Sequence, residues 1–192
     1  MSIATYIVLA LAFGISAMIL MRRCAAATPV KLSKGLVIML LTSIVHVILF
    51  VLGITLGDLL RIEGKDAPQL YARTNAYIFL GLTLFVVVRM LLPYLKREPN
   101  LAIFDLRNWS TTAAMAIASG INVLLVGLGL GFVMPLAGHV HSAIWPLFAL
   151  TLLLGYMGIM FGRQKVEMRP RRWIIAACVL MLGCGIAAVI NS

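Results

Sequence analysis

Six stretches of about 20 apolar residues, each nearly free of charge, alternate with short polar connections. They cover residues 3–21, 35–60, 75–95, 111–136, 143–161 and 173–190. In hydrocarbon every backbone amide needs a partner inside the protein, which leaves only helices and closed barrels. A barrel would alternate apolar and polar residues over strands of about ten residues, and these runs are unbroken. The sequence therefore predicts an all-α polytopic membrane protein: six transmembrane helices in a single transmembrane domain over residues 1–192. Composition agrees, since 62% of the residues are hydrophobic and 11% charged, more apolar surface than a soluble domain can cover.

The cations are not spread evenly. The first, third and fifth connections hold twelve of the 16 Lys and Arg residues, and the fourth holds none. The positive-inside rule places those three connections in the cytoplasm and both termini outside, a topology that fits a bacterial plasma (inner) membrane. The formal charge of +10 thus points to the lipid bilayer as partner, not to nucleic acid. Arg22 and Arg23 follow the first run and no cation precedes it. A cleaved secretory signal has the reverse bias. Pro68, Pro93, Pro99, Pro135 and Pro170 fall near the ends of runs, and Pro146 in the first turn of the fifth, where a missing amide donor costs least.

Six helices divide into two sets of three, and because three is odd the second set must be inverted in the membrane. Ala12-Phe13-Gly14-Ile15-Ser16 beside Ala118-Ser119-Gly120-Ile121-Asn122 is a short trace of such an inverted 3+3 repeat. Glycines recur four apart at Gly53 and Gly57, Gly127 and Gly131, and Gly158 and Gly162. That spacing puts each pair on one helix face and lets a neighbouring backbone come close. The expectation is packing within the bundle, with a homo-oligomer face as the alternative. Cys24, Cys178 and Cys184 have no paired spacing and read as small packing residues.

The six acids, Asp58, Glu63, Asp66, Glu98, Asp105 and Glu167, all lie outside the deep parts of the runs. The chain thus lacks the intramembrane carboxylates that serve as proton relays or cation ligands. No paired acids, nucleophile triad or phosphate-binding glycine loop is present, so an enzyme is not expected, and nothing calls for a cofactor. Two polar residues do reach mid-span. His46 stands eleven residues after Gly35, and Asn122 eleven after Thr111, the depth at which transporter sites form. They read either as an interhelical hydrogen bond or as metal ligands. The hydroxyls of Ser16, Thr42, Ser43, Thr55, Thr83 and Ser119 are expected to bond to carbonyls of their own helix. Arg89 is expected to snorkel to the headgroups, and His139-Val140-His141 to lie in an outer loop.

The fourth run, Ala116-Ile-Ala-Ser-Gly120-Ile-Asn122-Val-Leu-Leu-Val-Gly127-Leu-Gly129-Leu-Gly131-Phe132, resembles a signature helix of the manganese efflux pump (MntP-type) family. Leu11 to Ser16, Val45-His46 through Gly53 and Gly57, Arg89-Met90 and Gly155 through Arg163 also fit that family. The resemblance implies six helices and secondary export of Mn2+. It also implies an altered site. The family's acids in helices one, two and four fall here at Met18, His46 and Asn122, while the internal repeat sets Ser16, not Met18, beside Asn122. The resemblance thus assigns a substrate path to His46, Asn122, Met18, Ser16 and Ser119, with His46 and Asn122 as metal ligands. Export of a softer metal or another small solute stays open, as does a non-transporting membrane subunit.

Overall fold

A computed structural model describes residues 3–62, 68–95, 103–134 and 136–192, with backbone alone at 68 and 136–140. The described residues form six helices and no strand: α1 (Ile3–Ala27), α2 (Leu32–Leu59), α3 (Pro68–Leu95), α4 (Trp109–Val133), α5 (Leu136–Arg163) and α6 (Pro170–Ile190). All six are long and apolar enough to cross a membrane.

Most helices overrun their apolar runs. α1 continues through Arg22 and Arg23, because the Arg22 guanidinium reaches out of the helix to donate to the Val166 carbonyl, from Nη2 at 2.6 Å. α3 begins at Pro68, where a proline ring suits a first helical residue. Asn75 then ties the start of α3 to the end of α2. Its amide nitrogen donates to the Ile62 carbonyl at 2.9 Å and its oxygen accepts from the Ile62 amide at 3.3 Å. Asn108 caps α4 by accepting from the Ser110 amide at 2.9 Å, as a good N-cap side chain does. Two expectations change in α5. Pro146 stands inside the helix, not in its first turn, and residues 139–141 are helical, not loop. Membrane helices tolerate an internal proline because neighbouring groups re-satisfy the freed carbonyl. Pro99 and Pro135 lie outside the described residues, as do Glu63, Lys65, Asp66, Lys96, Arg97 and Glu98.

The principal helix contacts close into a ring: α1 against α5, α5 against α2, α2 against α4, α4 against α3, α3 against α6, and α6 against α1. Two seams in that ring are backbone-close. A side chain on Gly53 or Gly57 of α2 would run into the carbonyls of Leu124 or Leu128 on α4. Gly127 and Gly131 answer from α4, facing the carbonyls of Phe50 and Ile54. In the other seam, Gly158 and Gly162 of α5 face the carbonyls of Met18 and Arg22 on α1. All three glycine pairs are therefore spent on seams within one chain, as close membrane packing requires.

The two seams share one register. Gly53 and Gly57 are each 105 residues before Gly158 and Gly162, and the carbonyls they meet, Leu124 and Leu128, are each 106 after Met18 and Arg22. Gly14 and Gly120, also 106 apart, meet the methyls of Leu154 and Leu49, themselves 105 apart.

The described parts of the three basic connections gather at one end of the bundle. Arg22 joins the first to the fifth. Lys34 Nζ donates to the Arg107 carbonyl at 2.8 Å and stands 5.0 Å over the Trp109 ring, joining the first to the third. Leu106, at 0% exposure, fills the middle of this end among Met21, Cys24, Ile38, Met115 and Ile159. Its amide donates to Thr28 Oγ1 at 3.2 Å, and Thr28 donates in turn to the Cys24 carbonyl. Cys24, Cys178 and Cys184 are buried thiols with no disulfide.

Candidate functional site

Helix α2 carries a polar ladder on its inner side. Thr42, Ser43 and His46 are all buried among apolar neighbours. Thr42 bonds back to the Ile38 carbonyl at 2.8 Å, the usual arrangement for a hydroxyl in such a helix. Thr55 does the same to Val51. Ser43 does not, and its hydroxyl has no partner. Removing a hydroxyl from water with no compensating bond costs about 1–3 kcal/mol, so this exception is informative.

His46 is 3% exposed and packs where α4 narrows, with its ring edge against Gly120. Its Nε2 lies 2.9 Å from Ser119 Oγ, and the Ser119 hydroxyl donates to the Ala116 carbonyl at 3.0 Å. A serine hydroxyl has one proton to give. With that proton on Ala116, the imidazole must donate its Nε2–H to Ser119. Nδ1 is then the unprotonated nitrogen, and it is buried without a partner. A neutral imidazole with one nitrogen held by a hydrogen bond and a free lone pair on the other is the form that ligates metals.

Of the residues singled out in the sequence, the structure joins His46 to Ser119 by a hydrogen bond. It does not join His46 to Asn122. Asn122 Oδ1 and His46 Nδ1 are both buried and both lack a hydrogen-bond partner, so the interhelical bond considered for this pair is not formed. Met18 is buried in the α1–α5 seam with its carbonyl against Gly158. Ser16 lies two residues earlier on the same helix, half-buried. Arg89 is exposed on α3, consistent with a side chain that reaches for headgroups. His141 is exposed, and the side chain of His139 lies outside the described residues.

Two positions were missed or set aside. Thr151 on α5 is 0% exposed with an unpartnered hydroxyl, and Thr83 on α3 is the same. The signal for Thr151 is the glycine register: it stands 105 residues after His46, the interval that separates the glycine pairs of α2 and α5.

The charge of the site is as telling as its geometry. None of the described acids is buried. Asp58 sits near the end of α2, 3.8 Å from Arg61, and Asp105 and Glu167 are exposed. Among the described residues no group of three or more His, Cys, Asp or Glu side chains could hold a metal ion. The opposite end of the bundle from Leu106 has an apolar pocket of about 10 Å³ lined by Tyr6, Leu9, Ala10, Phe13, Phe50, Ala143 and Leu147. That volume holds at most one water. Beside it the Tyr6 hydroxyl donates to the Met134 sulfur.

Six membrane-length helices, with an uncharged polar ladder on the buried side of α2 and no buried acid among the described residues, define a multi-pass membrane protein. Comparison with family models places it further. The model described as "Putative manganese efflux pump" matches residues 29–189, and the chain belongs to that family. No curated protein and no solved structure matches it.

Proposed function

We propose that this protein is a secondary exporter of a small divalent cation, nominally Mn2+, whose path passes His46 in the bundle of α1, α2, α4 and α5. The family match over residues 29–189 carries this reading. The Nδ1 of His46 supports it, because it is a buried ring nitrogen that no protein group occupies. Ser119 sets the tautomer, and Asn122 and Met18 stand on the adjoining helices as lesser contributors.

The halves α1–α3 and α4–α6 form an inverted repeat in this reading. Exchanging them maps the principal helix contacts onto themselves: α1–α5 becomes α4–α2, α1–α6 becomes α4–α3, and α2–α5 and α3–α6 map onto their own pairs. The register of 105 and 106 residues supports the same exchange atom by atom along both glycine seams. Such repeats underlie alternating access in many transporters. The end closed by Leu106 gathers the basic connections, and so faces the cytoplasm in a bacterial plasma membrane, with both termini outside.

The donors are uncharged, so a divalent ion entering the site gives up hydration without meeting a carboxylate. Binding is therefore weak, and selectivity leans toward ions that accept imidazole nitrogen more readily than Mn2+ does. A softer cargo is the second reading, favoured by that donor set. The test is flux in vesicles. Purified protein reconstituted with a metal-quenched dye inside is offered Mn2+, Co2+, Zn2+ and Cu2+ in turn. Metal-dependent quenching that His46→Ala abolishes is the expected result. No flux of any ion would make the protein a non-transporting member of its family.

A further inference from the structure

The α2–α5 crossing holds a polar pair that the sequence does not announce. Gly35 of α2 lies against Ile159 of α5, and Gly155 of α5 against Met39 of α2. Each step of four forward on α2 is a step of four back on α5, the pattern of two antiparallel helices meeting along one ridge. The next step brings Ser43 opposite Thr151. Beyond it, Phe50 shares a pocket with Leu147 and Ala143, so the ridge continues past the pair. Ser43 and Thr151 thus face each other across the interface. Both are 0% exposed, and neither hydroxyl has a hydrogen-bond partner.

His46 is one helical turn from Ser43, so the two side chains share a face of α2. Its Nδ1 is the third unpartnered polar atom in this band. Thr151 also occupies in α5 the place that His46 has in α2, by the interval that relates the two helices. The α2–α5 pair, like α3–α6, maps onto itself when the halves are exchanged, and of the two it is the one that carries these unpartnered groups. The three groups therefore lie about the axis that relates the halves, where a transporter binds its cargo. An imidazole nitrogen beside hydroxyl oxygens is a mixed N/O donor set suited to first-row transition ions and not to alkali ions.

We propose that Ser43 and Thr151 extend His46 into one cation site across the α2–α5 crossing, which takes a divalent first-row transition ion through uncharged donors. The inference rests on the metal-export reading for its cargo, but its test does not rest on flux. The full chain in detergent or nanodiscs is titrated with Co2+, read by its visible absorption bands, and with Mn2+, read by the rise in unfolding temperature. Thr151→Val and Ser43→Ala each weaken binding on the order of tenfold or more, and Thr151→Ser restores it. Neither substitution lowers the unfolding temperature of the metal-free protein, since each removes an unpartnered hydroxyl. A short bifunctional thiol reagent links Ser43→Cys to Thr151→Cys once the native cysteines are replaced.

Equal metal affinity in wild type and both variants overturns the site, as does a wild type that binds neither ion. A drop in metal-free stability with unchanged binding assigns the hydroxyls to a buried water and overturns it too. Loss of binding in the variants together with no flux in wild type keeps the site and sinks the export reading. Flux with unaltered binding in the variants does the reverse.

Discussion

Ser119 has two partners in the structure, His46 Nε2 at 2.9 Å and the Ala116 carbonyl at 3.0 Å, and giving its proton to Ala116 leaves it to accept from the imidazole. Replacing it with alanine strands an imidazole N–H in a dry interior. Ser119→Ala should cost about 1–3 kcal/mol in reversible unfolding in detergent, while Ser16→Ala, half-buried on α1, should cost less than half of that. Metal affinity should fall with Ser119→Ala as well, because the ring is free to turn or to change tautomer. His46 and Ser119 were both legible, since polar residues at mid-span are few. Their pairing was not. Depth arithmetic puts His46 level with Asn122, but level is not facing, and the azimuth of each helix is set by packing. Thr151 was hidden for a related reason. A threonine that bonds its own helix, like Thr42, and one that bonds nothing look alike in sequence.

At the level of helices, the glycines separate into two kinds. Gly57 and Gly158 have a neighbouring backbone where a Cβ would stand, whereas Gly81 and Gly183 have nothing within 4 Å. Gly57→Ala and Gly158→Ala should each destabilise the fold by about 1–3 kcal/mol, seen as a lower midpoint in detergent-denaturant titrations. Gly183→Ala should leave the midpoint unchanged or raise it, as alanine does in an open helical position. Leu106 belongs to this scale too, because it joins four helices. Leu106→Ala should cost about 2–5 kcal/mol and increase labelling of a cysteine placed at Met39 from the basic end. The helices themselves were readable from apolar length alone. Their ends were not. Apolarity stops where lipid stops, but α1 and α3 go on into the interface, held by Arg22 and Asn75. Leu106 carries no sequence signal, since a leucine in a polar connection declares itself only once the bundle closes round it.

For the molecule as a whole, the orientation is the first thing to check. Reporters fused to either terminus should be active only outside the cytoplasm, and accessibility labelling should find Lys34 and Arg171 on the inner side. A cytoplasmic C-terminus would overturn the assignment of the basic end to the cytoplasm. The proposed repeat has only one five-residue trace in the sequence, beside the spacing of its glycines. Side chains that face lipid need only be apolar, so they drift, while positions where backbones touch cannot. Under the proposed repeat, that accounts for a shared register at Gly53, Gly57, Gly158 and Gly162.

Those contacts also decide what can move. Along α2–α4 and α1–α5 the main chains interlock, and sliding there would drive carbonyl oxygens into neighbouring backbone. Each pair is therefore expected to travel as one rigid body. Between the two bodies, Met39 against Gly155 and Ile159 against Gly35 offer pliable side chains that can shear past one another at small cost. Any opening of this protein to one side or the other is thus expected to follow the α2–α5 crossing, where the packing is side chain against glycine.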